Sequence, residues 1–170
     1  MESLKTAIRR NLKDARRVAV LAIGSSLRGD DAAGLQVADQ LRRIRAKARS
    51  RADSPRYALR IFLGETAPEN LTGEIKKFRP THLVILDAAD AGGKRPGGIT
   101  LIHHDVVRGS SSISTHNMPV NVLIQYLQQS VPCKVLILGI QPKSHEYNQP
   151  LTASVKKAAA RAAAALAASL

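Results

Sequence analysis

The sequence predicts an α/β fold: a three-layer sandwich in which helices cover both faces of a twisted, mostly parallel sheet of about five strands. Short aliphatic runs, typical of buried strands, alternate along the chain with amphipathic segments that have helical spacing. One aliphatic run, residues 99–103, follows the preceding strand through only a glycine-rich link. Because that link is too short for a helical crossover, we expect this run to be the one antiparallel strand.

Composition and length support one domain with an aliphatic core. The 170 residues are enough to bury a sizeable core, and they include no Trp, two Phe and three Tyr. The single cysteine, Cys133, excludes an intrachain disulfide, fits a reducing compartment and is expected to pack beside a strand. No run approaches the roughly 20 apolar residues that span a bilayer, and the basic N-terminus lacks the apolar region of a signal peptide. We therefore expect a cytoplasmic protein without membrane insertion.

The first half of the chain is expected to contain three strands and three helices. Apolar spacing predicts a short N-terminal helix and a longer one after the first strand. The second strand, which alternates apolar and polar residues, is placed toward a sheet edge. Residues 66–69 have the pattern of a capping box, with Pro68 in the first turn, so a helix should begin there and end before Pro80. The expected order is helix 4–16, strand 18–23, helix 31–48, strand 57–63, helix 66–79 and strand 82–86.

The second half completes the alternation. After the antiparallel strand comes a serine-rich segment, residues 108–115, which we expect to be a mobile loop. A helix over 119–129, a strand over 134–140 and an alanine-rich helix over 151–170 follow, the last with Thr152 as its cap. Within the single domain 1–170, we distinguish an N-terminal helix (1–17), a core (18–155) and an alanine-rich C-terminal helix (156–170).

The chain is strongly basic, with a formal net charge of +13. Much of the excess lies between Arg42 and Arg60, where eight Lys or Arg face only Asp53. Such a surface attracts nucleic acids or acidic proteins. However, no aromatic platform or RNA-binding pattern accompanies the charge, which favours a solvated face or an acidic protein partner over RNA.

Candidate site residues follow the predicted strands. Asp30 and Asp31 come after the first strand, Asp87 ends the third, and His116 lies in the loop before the fourth helix. In open α/β sheets, the loops at the carboxyl ends of the strands form the ligand crevice. Two carboxylates and an imidazole there would suit Zn²⁺ or Ni²⁺ and would leave a coordination position open for water or substrate.

Each of these residues also has a purely structural explanation. Asp30 and Asp31 could serve as a helix cap and a first-turn acid, and Asp87 could cap nearby backbone amides. His116 could be held by local hydrogen bonds. Four further histidines compete as ligands, of which the two on the presumed antiparallel strand are assigned to surface or packing roles. The four are His82, His103, His104 and His145.

Other catalytic chemistries fit the sequence less well. Residues 24–29 have glycines five apart but lack the Lys-Ser/Thr ending of a P-loop, and they do not match the Rossmann fingerprint. Ser25 or Ser26 as a nucleophile would need a base, and only His116 is a candidate. Cys133 precedes a strand, which argues against a thiolate in the crevice.

Four short motifs, in this order, resemble those of the [NiFe]-hydrogenase maturation endopeptidases. They are the Gly-Ser-Ser-Leu-Arg-Gly-Asp-Asp-Ala-Ala-Gly of 24–34, the Asp-Ala-Ala-Asp of 87–90, the Thr-His-Asn-Met-Pro of 115–119 and the Gly-Ile-Gln-Pro of 139–142. The residues of the last two motifs are most similar to those of the branch that serves formate-hydrogenlyase-type hydrogenases. The likeness covers residues 18–155. It departs from the family at Ser25, where Asn is usual, and at 63–65, where Asp-Gly-Gly is usual and Glu65 would add an acidic contact.

The resemblance implies an aspartyl-type protease that removes a C-terminal extension from a hydrogenase large-subunit precursor after nickel insertion. Carried over by motif position, the residues that contact the nickel of the precursor are Asp31, Asp87 and His116, while Asp30 becomes a structural cap. Zinc or cadmium would occupy the same site in vitro. The expected protein is a monomer whose partner is the precursor and not a nucleic acid.

The resemblance leaves several readings open. The peptide could be cut by metal-activated water or by water that a carboxylate activates. A basic α/β module that binds or processes RNA is the alternative function, and a metal-dependent peptidase with an unrelated substrate is a third.

Overall fold

The computed structural model describes residues 2–48, 57–89, 95–103 and 120–170, and within these ranges five strands form one sheet. The strands are β1 (Arg17–Ile23), β2 (Ala58–Glu65), β3 (His82–Ala88), β4 (Ile99–His103) and β5 (Lys134–Ile140). Their order across the sheet is β2-β1-β3-β5-β4, with parallel pairing throughout except between β4 and β5. The antiparallel β4 and the edge position of β2 are both confirmed.

Helices cover both faces of the sheet, as predicted. The helices in the described ranges are α1 (Leu4–Asn11), α2 (Ala33–Ala48), α3 (Thr72–Phe78), α4 (Val120–Ser130) and α5 (Ala153–Ala167). Helices α1, α2 and α5 pack on one face, and α3 and α4 pack on the other. Successive residues of each strand serve opposite faces: Val20 of β1 joins the first core, and Leu21 joins the second.

The first helix is shorter than expected, because α1 ends at Asn11 and not at residue 16. The chain must turn there to enter the sheet, and Ala15 N donates to Leu12 O in that turn. The backbone amides of Arg16 and Arg17 both donate to Thr81 Oγ1. These hydrogen bonds fix the start of β1 in place of a further helical turn.

The expected capping box does not form. The 3₁₀ turn Pro68–Leu71 precedes α3, and its cap position is Ala67, which makes no side-chain cap hydrogen bond. Ala67 N donates to Gly64 O, so Thr66 lies inside a tight turn and not at a helix start. Sequence spacing missed this because 3₁₀ turns are frequent at the ends of α-helices, and the capping-box pattern does not tell the two apart.

The alanine-rich tail is part of the core. Val155, Ala159 and Leu166 of α5 are fully buried against the layer that contains α2. Thr152 occupies the predicted cap position, but its side chain makes no cap hydrogen bond and is used elsewhere. Among the described residues, no helix is both long and apolar enough to cross a membrane.

Candidate active site

The site lies where β1 and β3, adjacent parallel strands, reach their carboxyl ends. After β1, the chain forms the 3₁₀ turn Gly29–Ala32, which lies against the ends of the strands, and α2 follows directly. A Cβ on Gly24, whose φ is +140°, would overlap the carbonyl oxygen of Asp31. A Cβ on Gly34 would overlap the carbonyl oxygens of Ile23 and Leu86. These glycines therefore let the turn that carries Asp31 sit directly on the strand ends.

Asp31 is buried in this turn, with 3% of the residue exposed. Its Oδ2 accepts a hydrogen bond of 2.8 Å from the backbone N–H of Ser25. The donor is a main-chain group, so the departure from the family at Ser25 does not affect it. His145 Nδ1 lies 4.0 Å from Oδ1 of the same carboxylate.

Asp30 anchors the turn to a distant segment. It is fully buried, and its carboxylate accepts hydrogen bonds from Lys143 N at 2.9 Å and Ser144 N at 3.2 Å. Thr152 donates to it twice, through N at 2.7 Å and through Oγ1 at 2.9 Å. The expectation that Asp30 caps its own helix is wrong, because the hydrogen bonds of its carboxylate go to this distant segment and not to the amides of α2. Asp30 instead fixes the β5–α5 loop, residues 141–152, against the site.

Asp87 is the second buried carboxylate at the carboxyl ends of β1 and β3, with 2% of the residue exposed. It belongs to β3, where Leu83 and Ile85 face the α3/α4 layer. By strand alternation Asp87 lies on that same side, and α4 begins shortly after the Thr-His-Asn-Met-Pro motif. Asp31 and Asp87 thus come to one edge of the sheet from neighbouring strands, as the sequence predicts.

The histidines fall into distinct places. His116, the third predicted site residue, lies outside the described residues, as does His104. His82 is the first residue of β3 and therefore lies at the amino ends of the parallel strands, on the side opposite to the candidate site. His103 pairs with Leu136, in the first half of β5, and is likewise removed from the carboxyl ends. Among the histidines that the structure describes, only His145 lies beside Asp31.

His145, which the sequence offers only as one of four competing ligands, is the described histidine nearest to Asp31. Its one signal is position, three residues after the Gly-Ile-Gln-Pro motif that ends β5. Across residues 2–48, 57–89, 95–103 and 120–170, no group of three or more His, Cys, Asp and Glu side chains is close enough to hold a metal ion. Asp31, Asp87 and His145 therefore do not form such a group, although all three lie near the carboxyl ends of the strands.

A cavity of about 560 Å³ lies at the other edge of the sheet, lined in part by Asp14, His82, Cys133 and Lys134. Burial lowers the pKa of His82, with a further lowering by Lys134 and an opposing effect of Asp14. Burial raises the pKa of Cys133 to about 11, so its thiol stays protonated at neutral pH. The prediction that Cys133 is not a thiolate nucleophile agrees with this position.

Comparison with known proteins identifies the fold and the family together. The family described as hydrogenase maturation protease matches residues 37–169. The hydrogenase 3 maturation protease of Escherichia coli K12 is 36% identical over 139 residues, which are 82% of this chain and 81% of that protein.

Solved structures agree. A [NiFe] hydrogenase maturation protease, HycI from Thermococcus kodakarensis, superposes with a TM-score of 0.81 at 25% identity, covering 95% of this chain and 96% of that one. The hydrogenase maturating endopeptidase HybD from E. coli gives a TM-score of 0.70 at 26% identity, with 88% and 89% covered. With its two buried aspartates at the shared edge of β1 and β3, this chain belongs to the hydrogenase maturation protease family.

Proposed function

We propose that this protein is an endopeptidase that removes the C-terminal extension of a [NiFe]-hydrogenase large-subunit precursor once nickel has been inserted. The supporting observation is the pair of buried carboxylates, Asp31 and Asp87, at the carboxyl edge of adjacent parallel strands in a chain of this protease family. His116 completes the proposed set through its place in the Thr-His-Asn-Met-Pro motif.

The nickel is part of the substrate in this proposal. Carboxylate and imidazole donors suit a divalent ion of this kind, and zinc or cadmium would use the same donors in vitro. Asp31 is oriented for the role, because the Ser25 amide holds Oδ2 while the turn itself is fixed through Asp30. Ligands drawn from three separate segments bind free metal weakly, so the precursor-held ion is what completes the site.

Metal recognition would also align the peptide bond. Asp31, Asp87 and His116 would hold the nickel of the precursor, and this contact would place the scissile peptide bond beside the same side chains; such orientation lowers the barrier. Water, activated by the metal or by a carboxylate that accepts its proton, would attack the carbonyl carbon, and that proton would pass to the departing amine as the C–N bond breaks. General base catalysis of this type contributes roughly 10²–10⁴-fold.

The experiment compares a nickel-loaded with a nickel-free precursor. Wild-type protein should cleave only the loaded form, and Asp31→Asn should lose most of that activity while its thermal unfolding midpoint stays near the wild-type value. Cleavage is read as the mobility shift of the large subunit. Equal cleavage of both precursor forms by the wild type would contradict metal recognition, and full activity of Asp31→Asn would remove this residue from the site.

The oligomeric state, the compartment and the partner follow from the same function. We propose that it acts as a monomer in the cytoplasm, where the precursor is its partner. Part of the basic segment lies on α2 and β2, where Arg43 pairs with Asp39 and Arg60 pairs with Glu74. This face would serve solubility or the docking of an acidic partner.

A further inference from the structure

We propose that Leu27 and Tyr147 form a docking surface beside Asp31, and that this surface binds an apolar segment of the large-subunit precursor next to the bond that is cut. The inference rests on the proposed function above and adds the surface that holds its substrate. Leu27 lies between β1 and the turn Gly29–Ala32, and Tyr147 lies on the β5–α5 loop.

Both side chains are open to solvent, and they adjoin. Among the large hydrophobic residues that the structure describes, Tyr147 is the most exposed at 69%, and Leu27 follows at 53%. A single exposed hydrophobic residue is ordinary on a protein surface. Here, however, Asn148 N donates to Leu27 O at 2.7 Å and joins the two segments. Standard backbone dimensions then keep the Cα atoms of Leu27 and Tyr147 within about 8 Å of each other.

The backbone around each of these side chains is fixed by local hydrogen bonds. Leu27 N donates to Ser25 Oγ at 3.3 Å. On the other segment, Glu146 N donates to Ser144 Oγ at 3.2 Å. Asn148 has a φ of +56°, a left-handed conformation that Asn adopts more readily than most residues. Because both turns are already formed, a partner that binds there has little backbone to order.

The docking surface borders the buried carboxylate of the candidate site. Leu27 lies between Ser25, whose N–H holds Asp31 Oδ2, and Asp31 itself. Tyr147 follows two residues after His145, whose Nδ1 lies 4.0 Å from Asp31 Oδ1. A protease also uses binding energy from parts of the substrate that do not react. A precursor whose scissile bond lies at Asp31 therefore extends over the adjoining turns.

The size of the docking surface fits a substrate better than a second copy of this chain. The exposed parts of the two side chains amount to roughly 300 Å², whereas a stable protein–protein interface takes about 800 Å² from each partner. Tyrosine is among the residue types that dominate the binding energy of an interface. A precursor that the site also holds needs only such an anchor, and it leaves again after cleavage.

The test measures KM and kcat of Leu27→Ser and Tyr147→Ser for cleavage of the nickel-loaded precursor. Each change should raise KM by about five- to thirty-fold, while kcat stays within about twofold because the contact is the same before and in the transition state. Tyr147→Phe should keep the wild-type KM, since the ring makes the contact. Tyr126→Ser is the matched control and should also keep it, because Tyr126 is 50% exposed on α4 and its ring packs against Lys76 Nζ.

A second measurement does not depend on activity. Binding of the nickel-free precursor, followed by biolayer interferometry, should weaken in Leu27→Ser and Tyr147→Ser but not in Tyr126→Ser, and all three should unfold near the wild-type midpoint. Wild-type KM and affinity in both docking variants would overturn the inference. So would a wild-type dimer in sedimentation that these variants dissociate. If the wild type cleaves no form of the precursor, the proposed function fails, and precursor binding still tests the docking surface.

Discussion

At the scale of single residues, two neighbouring aspartates perform different tasks. Asp31 presents a carboxylate at the strand edge, whereas Asp30 turns inward and binds residues more than 110 positions away. The motif position predicts this division, but the hydrogen-bond partners could not be predicted. Lys143, Ser144 and Thr152 meet Asp30 only because the fold returns the β5–α5 loop to the first turn.

Asp30→Asn should therefore act on stability first. The amide group would place its own N–H donors among the N–H and O–H donors that now bind the carboxylate. We expect a loss of about 2–4 kcal/mol in the free energy of unfolding, or a midpoint about 4–16 °C lower for a chain of this size. Thermal denaturation measures it, with Asp39→Asn as the control, since Asp39 makes an exposed pair with Arg43 that is worth under about 1 kcal/mol. A variant that is as stable as the wild type but inactive would contradict the anchoring role.

At the scale of secondary-structure elements, the strands were predicted better than the helix starts. The bounds of β4 and β5 match the expectation residue for residue, because continuous aliphatic runs between turn residues have few alternatives. Both 3₁₀ turns were missed. Their formation depends on close contacts between a turn and the strand ends, as at Gly34, and such contacts leave no periodic pattern in the sequence.

Two Gly→Ala variants distinguish the effect of the close contact at Gly34 on stability from the effect of helix propensity. Gly34→Ala should destabilise the protein by about 1–3 kcal/mol, as overpacking does, and should lower cleavage of the nickel-loaded precursor because it pushes the Asp31 turn off the strand ends. Gly73→Ala, in α3, meets no atom within 4 Å and should be neutral or stabilise by up to about 1 kcal/mol. Chemical denaturation and cleavage rates measure both. Equal stability of the two variants would show that the close approach at Gly34 is not required.

At the scale of the whole molecule, the alternation of strands and helices predicts the site's location. Parallel strands joined by helices have their carboxyl ends on the same side of the sheet. The sequence could therefore place Asp31 and Asp87 on one side. His82, at the amino end of β3, lies on the opposite side. The nearness of His145 could not be derived in this way. It arises between two segments that are joined by the hydrogen bonds of Asp30 and by the one from Asn148 N to Leu27 O, and the sequence does not reveal such long-range pairs.

The net charge of +13 is also a property of the whole molecule. It is the feature that favours RNA binding as an alternative to the protease function. Aromatic residues make up only 3% of the chain, so there is little surface on which bases could stack. We expect RNA binding to be purely electrostatic, weakening by roughly 10²–10⁴-fold between 50 and 200 mM salt if six to ten phosphates are contacted.

Fluorescence anisotropy of a labelled single-stranded RNA measures that binding, in parallel with cleavage of the nickel-loaded precursor. Asp31→Asn should leave the RNA affinity unchanged, because the carboxylate is buried and cannot contact a phosphate. Precursor cleavage by the wild type should persist at 200 mM salt, since salt screens contacts between exposed charges far more than it weakens the metal contacts proposed for the site. Sequence-selective RNA binding that survives 200 mM salt, together with loss of cleavage there, would favour the RNA-binding module instead.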